Sequence, residues 1–408
     1  MAAEQRNDAG AGGVLPRGRL AFCCLFLSLI LCNYLTFGFG MMLPVVGEEL
    51  GLGDRGVGFL GSLPFLTLLF AQLPFSALAI RIRPKYSMGI SFLCLSAGCL
   101  LHALASHAAY LAAGRILLAL HICSLGGAVQ MLKGEWIPPD RVLQVNALQE
   151  FSSNLGHLLG TLFAPLLLTV FLTWRRASAF CAALSSAILA VWFCLYRDRG
   201  SWRGGRREKI GGSFRLALRR RTVRLLLLGW PGASAVWVAF NNFWPSFALE
   251  YSSLDYRAIG MALGMTPIGS VAATLLAVPL ARRIPREKLL LSLCGLLLPP
   301  MYLATLHTAD LPTLCVLFFL AGFCAFAYVP AAMSRLWRLP GITAPVVAAG
   351  TSLILLSANV GSAAIGLIYD FLKLYLPSKS ALTLCCFSPL LWFAATLFLP
   401  PPQEDLPS

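Results

Sequence analysis

The stretch GRILLALHICSLGGAVQMLKGEWIPPDRVLQVNALQEFSSNLGHLLGTLFAPLLLTV, Gly114 to Val170, holds two long apolar runs separated by a short polar turn, EWIPPDR. A helix rises about 1.5 Å per residue, so about 20 apolar residues cross a hydrocarbon core of about 30 Å. Each run is long enough to do so. Outward from here the pattern repeats along the whole chain. Cutting at charges and turn residues predicts spans 1 to 12 at 20–46, 57–80, 87–107, 109–132, 143–171, 174–196, 223–249, 257–281, 288–307, 311–334, 342–371 and 379–400. The composition agrees: 58% of the 408 residues are hydrophobic and 12% charged, with mean hydropathy +0.76, where a soluble domain carries roughly twice that charged fraction.

The formal charge of +15 raises nucleic acid as a partner, but the basic residues sit between spans and no basic face interleaves with aromatics, so nucleic-acid binding is not expected. Their placement reads as topology. Loops on the side of the termini hold 25 Lys or Arg, with Lys133 and Arg141 counted among them; the opposite loops hold six, and Arg115 alone falls inside a span. This bias predicts a multi-pass protein of the plasma or inner cell membrane with both termini cytoplasmic. The 13 cysteines lie in apolar stretches without CxxC spacing or a nearby histidine set, which predicts buried thiols, no metal and no cofactor. The polar start Met1 to Leu20 followed by an apolar run to about Val46 predicts an uncleaved first span.

One long polar interruption, Arg197 to Arg224, divides the chain. The expected organisation is an N-terminal tail 1–19, a first six-helix half 20–196, a basic linker 197–222, a second half 223–400 and a C-terminal tail 401–408. The linker reads first as a solvated or headgroup-facing loop, with lipid binding as the alternative.

Several motifs carry a family resemblance. LPVVGEELGLGDRGVGFLGSLPFL (Leu43 to Leu66), the arginine-bearing fourth span with its Pro-Pro-x-Arg turn and glycine-bearing fifth span, and GTSLILLSANVGSAAIGLIYD (Gly350 to Asp370) resemble the major facilitator superfamily of secondary transporters. The resemblance implies an all-α membrane fold of about twelve helices in two six-helix halves and alternating access to a midplane site. It places Arg115 on the family's fourth-span arginine. There are departures. SALAIRIRPK keeps Arg81 and Lys85 but has Ser76 and Ile80 where the family pattern has glycine and aspartate, and Pro165 follows Gly160 at a distance instead of directly, which weakens an antiporter reading and tilts direction toward uptake.

Ionisable or amide side chains inside spans are the candidate functional residues, because each is costly in lipid unless it faces a cavity or a partner. Asn146, Glu150, Asn154, His157 and Thr161 step by four, four, three and four and so share one face of span 5, expected to line the central cavity, with Glu150 or His157 exchanging a proton; a static polar interface with span 8 or 10 is the alternative. Gly156 and Gly160 form a ledge for close packing. Arg115 reads equally as a functional group, an anion contact or a partner in proton coupling, and as an arginine hydrogen-bonded to backbone carbonyls that packs span 4 within its half. On span 7, Trp230, Trp237, Asn241 and Trp244 share a face; Trp237 and Asn241 are expected at the cavity, Trp230 and Trp244 as interfacial anchors. Asn33, Tyr34, Gln72 and Asn359 complete the candidate set. The functional expectation is secondary active transport of a small organic solute, proton-coupled, by a monomer in a lipid bilayer, and not an enzyme: no HExxH, GxSxG or nucleotide-binding loop is present. An efflux carrier and a non-transporting receptor on the same fold are the alternatives.

Overall fold

A computed structural model describes residues 16–52, 54–171, 173–198, 210–252, 254–283 and 287–405. In a lipid core every backbone N–H and C=O must be bonded internally, and these residues solve that with helices. Span 1 is Pro16–Glu49, with its apolar crossing part at Gly18–Phe39. Spans 2 to 6 are Asp54–Arg81, Pro84–Ala103, Ala108–Trp136, Val142–Phe171 and Trp174–Leu195. Spans 7 to 9 are Arg221–Tyr251, Tyr256–Arg283 and Glu287–Thr305, and span 11 is Ala344–Lys373. Spans 10 and 12 are each broken once, as Leu311–Ala327 with Val329–Leu336 and as Ser378–Cys386 with Leu390–Leu397. Among the described residues eleven of these are long and apolar enough to cross a membrane, and Val142–Phe171 is a further 30-residue helix beside them. The protein is a multi-pass membrane protein of the expected class.

The breaks have local causes. Pro330 stands just after the span 10 break, where its missing N–H and ring remove a helical bond. Pro231, Pro245 and Pro267 instead lie inside unbroken helices. Span 12 breaks at Phe387–Pro389, and there the Ser388 hydroxyl donates to the carbonyl of Gly232 on span 7 at 2.8 Å.

Helix pairing repeats between the halves. Span 1 packs on 5, 2 on 4 and 3 on 6; in the second half span 7 packs on 11, 8 on 10 and 9 on 12. Glycines permit the tight crossings. A Cβ on Gly160 would stand 2.7 Å from the Tyr34 carbonyl oxygen, one on Gly156 would overlap the Ile30 carbonyl, and in the second half one on Gly361 would overlap the Pro231 carbonyl.

The halves meet through spans 5 and 8, 2 and 11, 4 and 11, and 5 and 10. At the end that carries both termini, called here the near end, side chains tie them together. Asn146 donates to Ser334 (2.8 Å), Trp337 to Gln130 (3.0 Å) and Ser352 to Ser76 (2.5 Å).

Two segments expected as loop or tail are ordered. Ile210–Arg219 is a helix of its own, with Ala217 buried among Ile80, Met131, Val346, Ala348 and Ala349 from spans 2, 4 and 11. In the tail, the buried Asp405 carboxylate accepts from the backbone N–H of Arg221 (3.0 Å) and Thr222 (2.8 Å), satisfying donors that the start of span 7 leaves open. The cysteines are all free, and Cys23 and Cys194 face outward while most of the others are buried, so burial of every thiol does not hold. Residues 1–15, 199–209 and 406–408 of the expected tails and linker lie outside the described residues.

Candidate functional site

A cavity of about 620 Å³ lies where the halves face each other. Its walls come from both: Thr36, Phe37, Ser62, Arg115, His157 and Thr161 from the first half, Trp237, Asn241, Asn242 and Ser362 from the second. The helix directions set its depth. Arg115 follows the start of span 4 by about two turns, whereas Thr36, His157, Trp237 and Ser362 lie past the middle of helices that run away from the near end. The cavity therefore occupies the far half of the bundle, opposite the bonded near end.

Arg115 is 3% exposed, and its Nε and Nη1 have no hydrogen-bond partner. Its guanidinium carbon sits 4.6 Å from the centroid of the Phe39 ring, and no described carboxylate pairs with it. A ring face offers a cation some attraction but no acceptor for its N–H groups. The carbonyl-bonded alternative would use those two nitrogens and does not. A buried, unpaired guanidinium presents planar donors in the geometry that suits a carboxylate or phosphate.

The same cavity is lined by an aromatic group drawn from three spans. The rings of Phe37 and His157 stack at 3.7 Å, and Trp237 meets both edge-on at 6.2 and 5.8 Å. The Trp237 Nε1 is buried without an acceptor. Asn241 donates Nδ2 to the Trp237 carbonyl at 2.7 Å, which leaves its carbonyl oxygen for the cavity it lines.

The sequence profile of the Major Facilitator Superfamily matches residues 25–334. The chain belongs to the Major Facilitator Superfamily. The fold of the E. coli fucose:proton symporter FucP is similar, with TM-score 0.74 at 12% identity over 93% of this chain and 98% of that one. No curated protein matches the chain at a significant level.

In this superfamily member the polar stripe of span 5 is divided between two places. His157 and Thr161 line the large cavity. Asn146 and Glu150 instead line a separate cavity of about 40 Å³ toward the near end, together with Lys133 and Gln149. Asn154 lies buried between them, its Nδ2 without a partner. The expectation that the whole stripe faces one cavity thus gives way, because the near-end contact of span 10 closes over its first turns.

Lys133, counted as a loop charge, is 1% exposed. Its ammonium donates to Asn146 (2.5 Å) and Gln149 (2.7 Å) and lies within Coulombic reach of Glu150. The sequence signal missed was its place in the last turn of a 29-residue helix, which continues past the expected end at 132. Asn242, also missed, lies next to Asn241 on a helix whose NN pair invites notice.

Four candidates sit elsewhere. Asn33 donates to the Leu29 carbonyl of its own helix (2.9 Å) and stands over Gly156. Tyr34 is buried among Cys32, Leu35, Leu95 and Cys99 within the first half. Gln72 is buried at the junction of spans 2, 4 and 11, close to Gly126. Asn359 is half-buried on span 11 and does not line the large cavity. Trp230 and Trp244 are not interfacial anchors. Both are buried in the core of the second half, Trp230 against Tyr328 and Trp392, Trp244 against Phe318, because their faces meet neighbouring helices before they reach the lipid boundary.

Proposed function

We propose that this chain is a proton-coupled secondary carrier of a small organic anion with a flat apolar part, working as a monomer by alternating access. One observation carries the reading: the unpaired Arg115 guanidinium and the Phe37–His157–Trp237 aromatic wall share one cavity between the halves. The guanidinium would hold the anionic group, the rings the apolar body, and Asn241 a polar substituent. With the near end bonded shut, this is the state that loads from the far side. The charge bias of the loops supports a cytoplasmic near end, and so uptake.

Coupling is assigned to Glu150, which shares the near-end cavity with Lys133 and is bonded to no hydroxyl or amide named above. A carboxylate that must balance a buried ammonium in one state and meet water in the other is suited to carry a proton between them. His157, stacked in the aromatic wall, belongs to the substrate site.

A thermal-shift panel of sugars, amino acids, organic anions and amphiphilic drugs, at about pH 5.5 and pH 7.5, tests the substrate class, because a ligand of the folded state raises Tm by mass action. Hits confined to anions and lost in Arg115→Met support it. Hits confined to neutral amphiphiles, lost in Trp237→Ala and kept in Arg115→Met, would refute the anion and favour an amphiphile carrier resting on the aromatic wall alone.

A further inference from the structure

A further cavity, of about 270 Å³, opens at the far end of the second half. It sits where span 7 ends at Tyr251, span 9 ends at Thr305 and span 12 begins at Ser378. Its floor is aromatic. Trp244 and Phe247 are buried, and the exposed Tyr251 stacks on Phe247 at 5.0 Å. A cavity of about 150 Å³ already accepts a benzene ring, so this one has room for a small ring-bearing solute.

The rim carries hydrogen-bond donors. Lys379 Nζ stands 3.3 Å from His307 Nδ1. An ammonium can only donate, so Nδ1 is the acceptor and the ring proton sits on Nε2, a further donor. No described carboxylate pairs with Lys379. Asp310 and Asp255, in the neighbouring far-end turns, cap their own helices instead, accepting from the amides of Thr313 (3.0 Å) and Ala258 (2.8 Å).

The chemistry repeats that of the central cavity, a cationic donor beside aromatic faces, and the two cavities share a track. Trp237, Asn241, Trp244, Ala248 and Tyr251 step by four, three, four and three along one face of span 7. The first two line the central cavity and the last three line this one. Asn241 and Ala248 are about 10 Å apart by helical rise. Trp244 forms the partition: it is 1% exposed, its Nε1 donates to the Thr305 carbonyl (3.4 Å) and its ring meets Phe318 edge-on at 4.7 Å.

We propose that this far-end cavity is a second binding site, for a small organic carboxylate, in which Lys379 and His307 hold the carboxylate and Trp244, Phe247 and Tyr251 the apolar body. Solute arriving from the far side binds here before it reaches the central cavity. That loading role rests on the carrier reading above; the binding itself does not.

The test is calorimetric titration of the full chain with benzoate. The wild type shows two binding events, one dependent on Arg115 and one on Lys379. Lys379→Gln weakens the second on the order of tenfold, as for a charged hydrogen bond at a partly exposed site. Lys379→Arg keeps it, which separates loss of charge from loss of folding. Ala309→Trp, at an exposed position on the rim, fills the cavity and removes the second event. Isotherms that neither Lys379→Gln nor Ala309→Trp alters overturn the proposal, whatever Arg115→Met does. A Lys379-dependent event with Arg115→Met silent upholds this site and removes the carboxylate from the central cavity, so the two readings fail separately.

Discussion

At the residue scale the decisive group is Arg115. An unpaired buried charge destabilises the protein that contains it, so its removal should not cost stability. Arg115→Met is expected to leave Tm unchanged or higher while weakening anion binding about a hundred-fold, or ~3 kcal/mol, as for a lost charge-assisted hydrogen bond; calorimetric titration and a melting curve on the same sample check both halves. A fall in Tm with binding intact would make the arginine a packing element. Glu49 offers a second test, outside the membrane core. The Arg175 guanidinium and the Trp174 indole N–H both donate to its carboxylate and hold it below the usual carboxylate range. Its stabilisation is therefore present above the unfolded value near pH 4.3 and is lost as pH falls through the depressed folded value. Being partly exposed, the pair is worth at most about 1 kcal/mol. Glu49→Gln should lower Tm slightly at neutral pH, and the difference from the wild type should close in acid. A difference that persists in acid would contradict the assignment.

At the scale of elements, glycine spacing and polar stripes were legible in the sequence, and side-chain direction was only partly so. Gly156 and Gly160 were readable because small residues four apart on an apolar helix leave room for another backbone, and span 1 fills it. Gly156→Ala is expected to cost about 1–3 kcal/mol through overlap with Ile30 and Asn33. Gly260→Ala, at a helical position with nothing within 4 Å, should be neutral or stabilising by up to about 1 kcal/mol; equal effects of the two changes on Tm would argue against the tight crossing. The stripe of span 5 was visible as a period, but a period does not say where one cavity ends. Span 10 covers Asn146 through Ser334 and leaves His157 open. Trp230, Trp244 and Tyr34 were harder for a related reason: in lipid, apolar residues surround the whole helix, so hydrophobicity does not separate the face toward protein from the face toward the bilayer. Lys133 was hidden by an assumption that charge ends a helix.

At the scale of the whole molecule, the twelve-helix class and its division were legible because span length and loop charge are set by the bilayer itself. The state of the bundle was not, since it depends on a few hydrogen bonds between the halves. Asn146–Ser334, Gln130–Trp337 and Ser76–Ser352 hold the near end closed. Ser334→Ala with Trp337→Phe removes two of them, at about 1 kcal/mol each. Hydrogen exchange in the near-end turns of spans 4, 5 and 10 is expected to rise as the near-open state gains population, by roughly tenfold or more; unchanged exchange there would mean that these bonds do not set the equilibrium. Glu150→Gln is expected to keep exchange of solute across the membrane while losing accumulation driven by a proton gradient. The most direct test of the account is uptake of a panel of radiolabelled small organic carboxylates into proteoliposomes under an inward proton gradient, for the wild type and Arg115→Met. Accumulation of at least one carboxylate by the wild type, absent in Arg115→Met, is the predicted result; flux no greater than in protein-free liposomes across the panel, or equal flux in the two proteins, would contradict it.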